Sequence, residues 1–170
     1  MSLGDVFVDT GAWFAIQAVD DEHHGEARHA LPAVLQASRT LVTSNLVIGE
    51  TYTLLRLTRG YREAKRFLDT LAQSQKLERL FLTEHIERQA YEILHRYDDH
   101  PFSYVDATSF AFMRRRRVRH AFAFDVHFRT AGFLRIPVDL PLASLQGESK
   151  AETIWSRRRA TPRTPGNAAS

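Results

Sequence analysis

A chain of 170 residues, 44% of them hydrophobic, is long enough to bury a full core in one domain, which excludes a disordered or fibrous polymer. The lack of any cysteine excludes a disulfide scaffold, a zinc finger and a thiol nucleophile, and fits a reducing, cytoplasmic setting. The net charge of +3 is local. Residues 147–170 hold Lys150, Arg157, Arg158, Arg159 and Arg163 against Glu148 and Glu152, which leaves 18 side chains of each sign in the other 146 residues. The body is thus neutral, and the high pI is weak support for nucleic-acid binding by it. No basic segment followed by an apolar core opens the sequence, and the apolar runs fall far short of the roughly 20 residues that span a bilayer, so neither secretion nor membrane insertion is expected.

In chain order, Asp5 to Val8 reads as a short buried strand that ends at Asp9. Asp21 to Gln36 is a polar, mostly helical segment that Pro32 is expected to kink or split. Leu41-Val42-Thr43 is a second strand, after which Ser44 or Asn45 caps a helix that runs to about Arg59 and stops at Gly60. Tyr61 to Ala72 is another helix, and Leu77 to Leu82 a third strand. Thr83 suits the N-cap of a helix through Arg96; Asp98 to Pro101 is a loop; Ser103 caps a helix that reaches Arg117. Ala121 to Phe124 is the fourth strand and Ile136-Pro137-Val138 a short fifth, suited to an edge. From about Gln146 the chain turns polar and aperiodic, so a folded domain is expected over 1–145 and a basic, Pro/Arg-rich disordered tail over 146–170.

Short apolar strands alternating with helices imply a three-layer α/β/α sandwich around a mostly parallel sheet. Such sheets bind ligands at the carboxyl ends of their strands, which is where Asp9 and Asp125 fall. Two further acids occupy awkward places. Glu50 lies in the aliphatic stretch Leu46 to Leu55, grouped by helical spacing with Leu46 and Val47 on one side and Leu54 on the other, so it is expected on an apolar, buried face where its charge needs a partner. Asp106 opens the apolar run Asp106 to Met113. Each has a plainer explanation: a cap or turn for Asp9 and Asp125, a salt bridge to some arginine for Glu50, and the Ser-x-x-acid capping pattern of Ser103 to Asp106. Brought together, the four would make an oxygen-only site for a hard divalent cation such as Mg²⁺ or Mn²⁺. His127 could join as a ligand, although a hydrogen bond behind the ligands or plain packing is the readier explanation. The run Arg114 to Arg117 with Arg119 suits a solvated helix end; read functionally, Arg115, Arg116 and Arg119 form a phosphate-binding rim near Asp125. Trp13, Phe14, Phe102, Tyr104 and Phe128 could stack on unpaired bases, or simply fill the core.

Four ordered blocks resemble the PIN-domain ribonucleases, particularly VapC-type toxins of prokaryotic toxin–antitoxin pairs: Val6-Phe7-Val8-Asp9-Thr10; Asn45 to Glu50 with Leu54-Leu55; Ser103 to Ala107 with Phe110-Ala111; and Ala123 to Phe128 with Gly132-Phe133. The resemblance covers about residues 4–140 and implies a five-stranded parallel sheet between helices. It implies Asp9 and Asp106 as core metal ligands, with Glu50 and Asp125 completing the catalytic quartet and Thr10 helping to hold the site. It implies metal-dependent hydrolysis of RNA to a 5′-phosphate and a 3′-hydroxyl, a homodimer, and a small antitoxin whose tail blocks the acidic pocket. Other readings are a housekeeping PIN nuclease in RNA processing, a catalytically idle RNA- or protein-binding module, and a receiver-like phosphoacceptor. The last needs a lysine late in the sheet, and Lys65, Lys76 and Lys150 are not suitably placed.

Overall fold

The computed structural model describes residues 2–145; the tail expected over 146–170 lies outside the described residues. Its strands are β1 (Gly4–Val8), β2 (Ser38–Ser44), β3 (Leu77–Leu80), β4 (His120–Phe122) and β5 (Leu134–Ile136). They form one parallel sheet in the order β3-β2-β1-β4-β5. The helices are α1 (Thr10–Gln17), α2 (His24–Ala37), α3 (Asn45–Thr58), α4 (Tyr61–Gln73), α5 (Glu84–Arg96), α6 (Tyr104–Arg116) and α7 (Val126–Thr130). A 3₁₀ turn spans Leu142–Ser144.

The central position goes to β1 because Val6, Phe7 and Val8 are all fully buried, so both faces of the strand need cover. Neighbouring β4 contributes Ala121 and Phe122, also fully buried. Phe110 of α6 and Phe128 of α7 meet edge to face with ring centroids 5.1 Å apart, and Phe128 sits 6.3 Å from Phe7. These rings lock α6 and α7 against the centre of the sheet, beside the ends of β1 and β4.

Helix starts follow local chemistry. Ser44 accepts from the Val47 N–H, Thr83 from the Ile86 N–H, and Ser103 with Asp106 forms a full capping box. Several expectations are corrected. Pro32 does not split its segment: α2 starts at His24 and runs unbroken past it to Ala37. The fourth strand is His120–Phe122 and the fifth ends at Ile136, before Pro137, which has no N–H to give a ladder. Two helices were not expected. In α1, Thr10, Ala12, Trp13, Ala15 and Ile16 are all buried, so no polar face marks a helical period. The second, α7, is only five residues long.

Candidate active site

One cleft of about 500 Å³ opens at the carboxyl ends of β1 and β4, and Asp9, Glu50, Asp106 and Asp125 all line it, with Thr10 and His127. Each acid arrives by a different route. Asp9 ends β1 and caps α1, accepting from the Gly11 N–H at 3.3 Å. Asp106 sits in the first turn of α6, where its Oδ2 accepts from the Ser103 N–H at 2.8 Å. Asp125 follows β4 and caps α7, accepting from the His127 N–H at 2.8 Å. Capping and site-building thus coexist in all three aspartates, since each cap uses only part of a carboxylate's acceptor capacity.

Glu50 corrects one expectation. The core-facing stripe of α3 is Val47, Thr51 and Leu55, and Glu50 is exposed at the cleft. It keeps company with Leu46 and Leu54, as its spacing implied, but not with Val47, which was expected beside it and faces the core, and its own face is open. Leu57 is 80% exposed, and these residues line an apolar trough of about 590 Å³ that shares Glu50 and Leu54 with the acid cleft. The partner of Glu50 is not an arginine: the Thr10 hydroxyl donates to its Oε2 at 2.5 Å.

His127 lies between two acids, its Nδ1 3.2 Å from Asp106 Oδ2 and 3.5 Å from Asp125 Oδ1. Asp106, Asp125 and His127 each offer a ligand atom within 4.8 Å of the others. Asp9 stands deeper. Its burial pushes its carboxyl up to about 7, with the charges of Asp106 and Asp125 adding to the push, while the Thr10 and Gly11 N–H groups oppose it. A divalent cation fits this donor set: two carboxylates and an imidazole converge beside Asp9 in the same cleft, and a cation would offset the cost of ionising Asp9 in its buried place next to two other acids.

A residue set that sequence reasoning missed holds Asp125 in place. Arg135 donates through Nη1 to the Phe124 carbonyl at 2.9 Å, and through Nε and Nη2 to Asp139 at 2.9 and 3.0 Å. The pair is buried, and the Arg135 guanidinium holds the Asp139 carboxyl down at about 2. Nothing in the sequence marks it, since Arg and Asp four residues apart are commonplace.

The arginine rim is not where it was expected. Arg116 makes two hydrogen bonds to Glu78 in β3, at 2.7 and 2.8 Å, and lies 3.7 Å from Asp5 in β1. It therefore stands by the first halves of the strands. Arg119, just before β4, is also at the amino end of the sheet. Arg115 lies about 14 Å along α6 from Asp106, at 1.5 Å per residue. Their closeness to Asp125 in sequence does not carry into space. Of the aromatics, Trp13, Phe102 and Phe128 are core, and partly exposed Tyr104 donates to Glu87 at 2.7 Å.

Comparison with known proteins agrees with this geometry. The PIN domain family model matches residues 6–134. A relative in Mycobacterium tuberculosis, the 23S rRNA-specific endonuclease VapC20, is 40% identical over 137 residues, covering 77% of this chain and 97% of that protein. A VapC ribonuclease of Archaeoglobus fulgidus is 29% identical over 104 residues, covering 60% of this chain and 65% of that protein. The crystal structure of M. tuberculosis VapC20, described as a sarcin–ricin loop cleaving toxin, superposes with a TM-score of 0.71 at 37% identity, covering 77% of this chain and 98% of that one. Sequence blocks, sheet order and clustered acids converge, and the chain belongs to the PIN-domain family, among its VapC-type endoribonucleases.

Proposed function

We propose that this chain is the toxin of a toxin–antitoxin pair and hydrolyses RNA phosphodiester bonds with Mg²⁺ or Mn²⁺ held by Asp9, Asp106 and Asp125. The observation that carries the reading is the convergence of four carboxylates from four elements on one cleft, with the carboxyl of the deepest pushed up chiefly by burial and further by its acidic neighbours. When bound, a hard divalent cation supplies Lewis-acid polarisation of the phosphate and a more acidic water.

The chain's own residues do the rest. The Ser103 N–H and the His127 ring fix Asp106, so that carboxylate is positioned before any ligand arrives. Thr10 holds Glu50 at the cleft mouth, where its free oxygen can accept a proton from the attacking water or orient it. The Arg135 clamp on the Phe124 carbonyl fixes the backbone that presents Asp125. Burial of Asp9 deepens its need for a cation and ties activity to its ionisation.

The names of the M. tuberculosis relatives make 23S rRNA, and within it the sarcin–ricin loop, the substrate to try first. A small antitoxin from a neighbouring gene and a homodimer follow from the same kinship. The decisive experiment compares wild type with Asp106→Asn on ribosomal RNA with added Mg²⁺ or Mn²⁺. Asn keeps the carbonyl that caps α6 and removes the charge. Cleavage by the variant at the wild-type rate refutes the assignment. In cells, expression of the wild type alone should arrest growth, and co-expression of the adjacent small reading frame should relieve the arrest. Unimpaired growth with active enzyme would favour a housekeeping nuclease.

A further inference from the structure

The arginines displaced from the acid cleft form a feature of their own. A concavity of about 280 Å³ lies between the edge strand β3, the start of α5 and the end of α6, and Arg79, Phe81, His85 and Arg115 line it over a floor that includes Ile86 and Phe112. Arg79 and Arg115 are exposed, and among the described residues no carboxylate lies within 4 Å of either guanidinium. The nearby acid on β3, Glu78, is already taken by both Nη atoms of Arg116. Phe81 is 65% exposed beside them.

We propose that the concavity framed by Arg79, Phe81 and Arg115 is a second RNA-binding site, which grips the substrate away from the bond that is cut. A solvated helix end accounts for Arg115, since cations favour helix C-termini. It does not account for Arg79, which projects from a strand, nor for a large aromatic ring left in water on the lining of the same concavity. Unpaired guanidiniums bind phosphate in bidentate fashion, and an exposed ring offers a face for an unpaired base. The distance suits an auxiliary role. About 14 Å along α6 separates Arg115 from Asp106, so both can contact one RNA, several nucleotides apart. The neutral body needs such a local grip, because its overall charge supplies no long-range attraction. The proposal rests on RNA being the substrate of the acid cleft.

Binding separates the two claims. Full-length Asp106→Asn protein is titrated with a fluorescent dinucleotide RNA and with a 30-nucleotide stem-loop, at several salt concentrations. Adding Arg79→Glu and Arg115→Glu should weaken stem-loop binding by about tenfold and make its salt dependence shallower by about 1–2 in log–log slope. Dinucleotide affinity should move by less than about twofold, since a dinucleotide engaged at the acid cleft is too short to reach these contacts. Phe81→Ala should cost roughly fivefold on the stem-loop through lost stacking. Arg79→Lys with Arg115→Lys should retain most of the affinity, which separates charge from folding. Equal losses on both RNAs, or none on either, overturns the proposal. Whether the wild type cuts RNA at all is read independently in the comparison with Asp106→Asn, so the two claims can fail separately.

Discussion

Asp5 and Asp9 stand four residues apart at the two ends of β1, and both side chains are buried. Their surroundings are opposite. Asp5 accepts from Arg39 Nε at 2.9 Å and has Arg116 at 3.7 Å, and these guanidiniums hold its carboxyl below the usual range. Among the described residues no guanidinium pairs with Asp9; burial pushes its carboxyl up to about 7, and the charges of Asp106 and Asp125 add to the push. One strand therefore carries a carboxylate whose charge is answered within the fold and another whose charge is left unanswered. The first is architecture. The second, under the proposed function, would be answered by a cation from outside, and the contrast teaches how a site differs from a salt bridge made of the same residue type.

The largest way to break the contrast is to remove charge from the unanswered end. Asp9→Asn and Asp106→Asn should each reduce RNA cleavage by about three orders of magnitude or more, with the circular dichroism of the fold unchanged. Residual cleavage within tenfold of wild type would mean that these acids are structural like Asp5.

The next effect is a pH dependence of opposite sign at the two ends. With its pKa raised from 3.8 to about 7, Asp9 favours folding fully below pH 4, and that contribution is lost as pH rises through 7. The size is on the order of 4 kcal/mol, shared with its coupled neighbours. Metal-free wild type should therefore lose more stability than Asp9→Asn between pH 5 and pH 8. Superimposable melting profiles for the two proteins over that range would contradict this. Asp5 and Asp139 behave the other way. Their lowered pKa values stabilise the fold above about pH 4, and acid removes that contribution, down to about pH 2 for Asp139.

Supplying the missing cation should close the gap. Mn²⁺ at a hundred times its dissociation constant should add about 2.7 kcal/mol at pH 7.5, seen as a rise in Tm that chelation reverses. Asp106→Asn should blunt the rise, and an equal rise in the variant would place the metal elsewhere. The smallest effect belongs to the answered end: Arg116→Gln should cost about 1 kcal/mol, because Asp5 keeps Arg39 and the Glu78 pair is partly exposed. A loss several times larger in a denaturant titration would mean that Arg116, not Arg39, neutralises Asp5.

The parts of this contrast were unequally legible in the sequence. Asp9, Asp106 and Asp125 could be placed because strand ends and capping patterns are local, and the parallel order of the sheet carries such ends to one side. The α6 capping box was readable from Ser103 and Asp106 alone. Glu50 was assigned to the right helix, but it was grouped with Val47 as well as with Leu46 and Leu54 and put on a buried face, because spacing groups residues without saying which of them face the core. The arginine cluster was misplaced because Arg119 and Asp125 are six residues apart in the chain while β4 lies between them, running from one end of the sheet to the other. Asp5 with Arg39, and Arg135 with Phe124, were unreadable for a simpler reason: pairings across a sheet or back onto a carbonyl leave no local pattern.

The order in which the cleft receives its acids also orders events on the ribosome. Asp9, Glu50 and Asp106 are all synthesised before β4, and Asp125 comes only after it. Until β4 arrives, β1 has a neighbour on one edge alone, and the strand that ends in Asp9 is unpaired on the side where Asp125 will stand. A nascent or prematurely terminated chain that stops before residue 120 thus has three acids, an incomplete sheet and no α7 to orient the fourth. Synthesis from the N-terminus delays assembly of the acid cleft until nearly the whole folded body has been made.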